Sequence, residues 1–455
     1  MNASSFLPAL LLAGSAAAAD WPQFRGPQAC GVDSAAPAPV RWNVEKNENV
    51  RWRAAIPGLA HSCPILWGDR VYVTTAVQSG KAELKVGLYG DIEPVAAEGP
   101  QQWRLLALDQ STGKVLWDKV AHEALPRSQR HPKASHCNCT PATDGRCIVA
   151  ILGSEGLFCF DMEGKQLWKK DLGPMDSGYY RVPSAQWGFA SSPVIYDGKI
   201  IVQCDVQTNS FIAAYELLKG TELWRTPRQD MPTWSTPTVA QAGDQTVVLV
   251  NGWHHTGGYD FKSGKEVWRL DGGGDIPVPT PIVANGLAYF TSGHGNLRPM
   301  RAIRLEARGN ITPPNPDGTN SAIVWVHARQ GNYMQTPIVV GENVFACFDI
   351  GLLTCFDAKT GAVRFSERLG NGSEGFTSSP VSDGRHLYIA SETGNVYVVP
   401  AQSTFSVAST NKMGETCMAT PAISSGTLFY RTRTQLVAIG KADEPKTTKL
   451  TKEKN

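Results

Sequence analysis

The chain lacks an apolar run long enough to cross a bilayer as a helix: the stretch Phe6 to Ala19 falls short of the roughly 20 residues such a span needs. It also lacks an excess of charge of either sign. With 43 basic and 41 acidic residues, no overall field draws it to nucleic acid or to an anionic membrane. Its 10 cysteines contain no C-x-x-C-H, which excludes covalent c-type haem, and no two are adjacent. No glycine-rich phosphate loop is present, and the histidines and cysteines match no compact zinc spacing.

The ends carry little fold information. Phe6 to Ala19 closes on small residues before Asp20 and reads as a signal peptide spanning 1–19, so the mature chain is expected in the periplasm or secreted. Ser15 stands where a lipoprotein signal would need Cys, so no lipid anchor is expected. Residues 441–455 are polar and weakly basic and read as a disordered tail. Residues 20–440 form the single folded unit.

That unit is built on a repeat. Ala107 to Trp117 reads A-L-D-Q-S-T-G-K-V-L-W, a strand, a turn and a strand, in which Asp109 bonds the turn backbone and Gly113 supplies positive φ. Copies run from Tyr215 to Trp224 and from Tyr259 to Trp268, with weaker ones at Asp161 to Trp168 and Asp357 to Phe365. A second signature is a hydroxyl residue followed by proline and an apolar run. It occurs at Pro64, Pro141, Pro193, Pro237, Pro281, Pro337, Pro380 and Pro421, with Cys63 the one departure from Ser or Thr. The spacings are 77, 52, 44, 44, 56, 43 and 41 residues. A period near 41 to 44 with four short strands per unit marks an all-β propeller, here of eight blades, with the longer intervals as insertions.

The last unit, Thr420 to Ile439, shows only three strand runs, so the strand containing Trp52 is expected to supply its outer strand and close the ring. Trp117, Trp168, Trp224 and Trp268 are expected to be structural, filling the wedges between blades. Insertions are expected at about Thr75 to Gln102 in blade one and at about His294 to Asn320, enlarging blade five. The first offers Leu88, Tyr89 and Trp103 to a protein partner. The basic segment Pro126 to His136 reads as a solvated connection.

The A-L-D-Q-S-T-G-K-V-L-W unit resembles the tryptophan-docking motif of the pyrroloquinoline-quinone (PQQ) repeat. Together with W-P-Q-F-R-G-P at Trp21 to Pro27, G-G-G-D-I-P-V-P-T-P at Gly272 to Pro281 and C-M-A-T-P at Cys417 to Pro421, it makes the mature chain similar to secreted PQQ-binding-like propeller proteins. The repeat is shared with the propeller lipoprotein of the outer-membrane barrel-assembly machinery. The resemblance implies an eight-bladed quinoprotein-type propeller and two functions: a binding or scaffold module, or a calcium-assisted PQQ dehydrogenase of alcohols or sugars. Such dehydrogenases often hold a bridge between adjacent cysteines over the quinone. Cys137-Asn138-Cys139 is the nearest approach here, which favours the binding module, with PQQ and calcium kept for the alternative.

Candidate site residues follow from aligning the prolines. Six residues before proline, blades five, seven and eight carry Asp275, Glu374 and Glu415, which would converge at one mouth of the channel with Asp205, His254 and His294. Mutual repulsion should raise at least one carboxylate pKa, and a calcium ion or cationic ligand should relieve it. His136, Cys137 and Cys139 are weaker metal candidates; on a strand the two cysteines would share a face. Cys63, Cys137, Cys139 and Cys417 leave a disulfide near the channel open. The protein is expected to be a monomer.

Overall fold

The structure is a computed structural model that describes residues 19–88, 92–295 and 298–441. The signal-peptide and tail readings, and Tyr89, therefore fall outside the described residues. Within them there is no α-helix, only the 3-10 turn Pro27–Ala29. Each repeat folds into an antiparallel meander: blade one runs Ile65–Trp67, Arg70–Gln78, Gln101–Asp109 and Val115–Ala124. Eight such sheets stand round a common axis, with β-branched and aromatic residues of neighbouring faces forming the cores between them.

The hydroxyl-proline signature lies next to that axis. In six of the blades the residue before proline donates its N–H to the hydroxyl of the corresponding residue in the next blade. Cys63 donates to Thr140 at 3.0 Å, Thr140 to Ser192 at 2.9 Å, and Ser192 to Thr236 at 3.0 Å. Thr280 continues to Thr336 at 3.0 Å, Thr336 to Ser379 at 2.9 Å, and Ser379 to Thr420 at 2.9 Å. The proline that follows removes one competing donor, and the hydroxyl satisfies an amide that no strand reaches. The repeat of Ser or Thr before Pro thus stitches neighbouring blades round the axis, with a break at Thr280, whose hydroxyl has no partner.

The tryptophan units close the outside. Asp109 accepts from the amides of Ser111 at 3.1 Å and Thr112 at 2.8 Å, forming the turn that sets Gly113 at φ 72°. A Cβ there would sit 2.4 Å from the indole of Trp52, which lies on the bare glycine and donates to Gln110 O at 2.9 Å. Trp168 meets Gly220 and Trp224 meets Gly264 in the same way, donating to Leu217 O and Phe261 O at 3.1 Å each. Trp117 lies on Gly164. Trp117, Trp168 and Trp224 are half-buried, whereas Trp268 is buried.

Trp268 differs because of the second insertion. Its strand Gly309–Asn310 pairs in parallel with Trp268 and Arg269, adding a fifth strand to blade four; the insertion leaves blade five but enlarges its neighbour, contrary to the sequence expectation. The Trp52 strand, Val50–Ala55, pairs antiparallel with Gln435–Ile439 as the outer strand of blade eight.

The segment before that strand seals the lower mouth. Trp21 exchanges backbone bonds with Leu66 of blade one at 2.9 Å, Pro22 O accepts from Thr143 of blade two at 2.8 Å, and Gln23 Oε1 accepts from Ile195 of blade three at 3.3 Å. The Pro27–Ala29 turn lies against the inner strands of blades four and five. Arg25, wholly buried, donates to Pro337 O of blade six at 3.0 Å and to Pro380 O of blade seven at 2.9 Å. Asp33 then bonds Ser382 of blade seven and Ser425 of blade eight.

All 10 cysteines are free thiols. Residues 132–141 form no strand, so Cys137 and Cys139 do not share a face: Cys137 packs between blades one and two and Cys139 between blades two and three.

Candidate functional site

The upper mouth holds a cavity of about 340 Å³ on the axis, and its wall follows the repeat. Three residues before the prolines stand His61, Asn138, Ala190 and Trp234 of blades one to four. Val278, Met334 and Thr377 of blades five to seven take the same place, so seven blades each contribute one equivalent side chain. The chain enters each inner strand there, and the side chain three before proline turns toward the axis.

Aromatic rings complete the wall. The hairpin Gly178–Tyr179 and Val182–Gln186, inserted between blades two and three, brings Tyr179 parallel to Trp187 at 4.9 Å and 9°. Trp187 meets Trp234 at 5.6 Å, and His294 meets Tyr333 at 5.2 Å. Burial pushes His61 down to about 4, aided by Arg431, Arg130 and Arg433, and lowers His294 as well. Both imidazoles are therefore neutral at pH 7. His61 donates Nε2–H to Lys133 O at 2.9 Å.

The blade-one insertion roofs this cavity. Ile92 lines it, and its carbonyl accepts from Trp187 Nε1 at 2.9 Å. Val95 N bonds Arg130 O at 2.8 Å, and Glu98 takes both Arg130 Nη2 at 2.7 Å and His136 Nε2 at 2.9 Å. Burial works against ionisation of Glu98, but these donors hold it near 2. Further across, Glu392 of blade seven accepts the Gly87 amide at 2.7 Å and pairs through both oxygens with Lys133 Nζ at 2.8 Å. Arg130 and Lys133 are thus buried latch residues; Pro126 to His136 is not the solvated connection expected from its composition. Trp103 is buried with its indole on His136 O, while Leu88 is exposed.

Of the six mouth candidates, His294 lines the cavity and Asp275 is bridged to it. Asp275 also accepts from Trp253 Nε1 at 3.0 Å. Glu374 and Glu415 instead bind the hairpin turns of their own blades: Glu374 accepts Ser391 Oγ at 2.9 Å and Asn395 Nδ2 at 2.6 Å, and Glu415 accepts Thr432 Oγ at 2.6 Å and the Thr434 amide at 3.0 Å. Burial opposes their ionisation, but the donors win and both lie below the usual range, the reverse of the rise that repulsion would produce. Asp205 is wholly buried against Arg228 at 2.8 Å, which also holds Asp230 at 3.0 Å. His254 stays part-exposed, donating Nδ1–H to Gln229 O at 2.8 Å.

Quinoprotein chemistry would require calcium among oxygen ligands. The wall offers Asn138, whose oxygen already accepts from Ser135, and Thr377, whose hydroxyl bonds Glu392; of the carboxylates beside it, Asp275 already accepts from Trp253 Nε1, and Asp349 is not grouped with it as a metal would need. Among the described residues no three His, Cys, Asp or Glu are grouped as a metal would need, and His136, Cys137 and Cys139 are separated as described. This donor set does not fit a calcium-quinone site.

Blades stitched round the axis, with turn-and-indole rims, define a quinoprotein-type propeller of PQQ repeats. The chain belongs to the family described as outer membrane protein assembly factor BamB, whose profile matches residues 40–176 and 208–445. Among solved structures it is similar to BamB from Moraxella catarrhalis at 15% identity and TM-score 0.53, covering 80% of this chain and 97% of that one. It is also similar to a europium-containing methanol dehydrogenase, at 11% and 0.50 over 92% and 89% of the two chains. The C-terminal WD40 domain of Sif2 matches at 14% and 0.51 over 79% and 99%. At these identities the likeness shows the fold. No curated protein matches in sequence.

Proposed function

We propose that this protein is an exported binding or scaffold module whose ligand site is the axial cavity of the upper mouth. One observation carries the reading: seven blades, a hairpin and the roofing insertion converge on a single aromatic-walled space while the lower mouth is sealed. A cavity of about 340 Å³ with few polar groups suits a small molecule. Of the sequence candidates, Asp275 and His294 belong to this site. Trp117, Trp168, Trp224 and Trp268 are structural, since each indole is engaged by its own or the neighbouring blade. Membership of a family described as an outer membrane protein assembly factor supports a scaffold role in the periplasm, served by a monomer freed of residues 1–19.

The test is a small-molecule screen of the purified chain by tryptophan fluorescence, beside an Ala190→Trp variant that fills the cavity. Ligands should quench the parent and not the variant. Dye-linked alcohol or sugar oxidation after loading with PQQ and calcium would overturn the reading in favour of a dehydrogenase.

A further inference from the structure

The turns between second and third strands carry an acid at the mouth in four blades: Glu155, Asp205, Asp349 and Glu392. Three are answered by a cation of the fold. Glu155 meets Arg127 at 3.5 Å, Asp205 meets Arg228 at 2.8 Å, and Glu392 meets Lys133 at 2.8 Å. Among the described residues Asp349 has no Lys or Arg within ion-pair distance. Its carbonyl accepts from Phe376 N at 2.9 Å, which sets it beside Thr377 of the cavity wall. Its charge acts on His294 and Tyr333, which also line the cavity.

We propose that the axial cavity takes a small organic ammonium, its cationic centre over Tyr179, Trp187, Trp234 and Tyr333 and its charge answered by Asp349. Ring faces attract cations most where water is excluded, and a half-buried carboxylate supplies the counter-charge. Three other charges lie nearby: Lys133, which also lines the cavity, Arg181, which is exposed, and Asp275, which accepts from Trp253 Nε1 and adds to the negative field at His294. Lys133 is held by both oxygens of Glu392, and Arg181 at the rim donates Nε–H to Tyr180 at 2.9 Å. The neutral imidazoles of His61 and His294 add no repulsion.

This inference rests on the cavity being the ligand site, and the experiment separates the two. The full mature chain is titrated at pH 7.5 with benzylammonium and with benzyl alcohol, its neutral counterpart, by calorimetry and tryptophan fluorescence. Benzylammonium should bind about tenfold more tightly or better. Asp349→Asn should abolish that preference while leaving benzyl alcohol binding and Tm unchanged. Equal binding of the two probes by the parent, or a preference that survives Asp349→Asn, overturns the charge assignment and leaves the cavity reading standing. No binding of either probe, or unchanged binding in Ala190→Trp, overturns the cavity reading and the ammonium with it.

Discussion

The amide of Thr336 donates to the hydroxyl of Ser379 at 2.9 Å, across the boundary between blades six and seven and 43 residues along the chain. Ser379→Ala would leave that buried amide without a partner and should cost about 1–3 kcal/mol. Thr280→Val is the control, because its hydroxyl already lacks a partner and its amide still reaches Thr336. Urea unfolding should show a lower midpoint with unchanged slope for Ser379→Ala, and no loss for Thr280→Val.

Gly113 and Gly341 both hold positive φ, 72° and 60°, but only the first faces an indole. Gly341→Ala meets nothing within 4 Å and should cost the backbone term alone, about 1 kcal/mol. Gly113→Ala must also displace Trp52 and should cost about 1–3 kcal/mol more. Equal losses in thermal or urea denaturation would show that the indole contact is soft.

Residues 20–56 supply both the lower seal and the outer strand of blade eight. Deleting them would expose the edge of Gln435–Ile439 and the apolar faces now covered by Trp42 and Trp52. The truncated chain should aggregate on size-exclusion chromatography and lose its cooperative melt. A soluble truncation with unchanged Tm would refute the closure.

Glu98 ties the roof to Arg130 and His136, and its folded pKa lies near 2, below the ordinary 4.5. A depressed carboxylate pKa contributes stability that is full above about 4.5 and is lost as pH falls toward 2. Glu98→Gln should therefore be less stable than the parent at pH 7, with the difference shrinking across that window. A pH-independent difference in unfolding midpoint would mean that packing, not charge, holds the roof.

The fold was legible because its constraints are local and repeated. Gly113 must be glycine where an indole lands on it, and Thr140 must carry a hydroxyl where the preceding blade presents an amide, so both recur at the blade period. The cavity was half legible. Counting back from the same prolines reaches it at three residues, His61 through Thr377, whereas six residues back leads to Glu374 and Glu415, which bind their own turns. The roof was not legible, since its latches join residues as distant as Gly87 and Glu392, and no local pattern marks such a pair. The hairpin carrying Tyr179 is too short to stand out within a 52-residue interval.

Arg25 and the segment around it make the axis a cup and not a conduit. Whatever enters must leave by the same door, past Ile92 and the rings beneath it. A long polymer cannot be threaded through such a vessel; it can present only an end. Residence time would then be set by how often the roof lifts, so loosening the Glu98 latch, whose partners Arg130 and His136 stand outside the cavity wall, should hasten arrival and departure alike while leaving the equilibrium between them little changed.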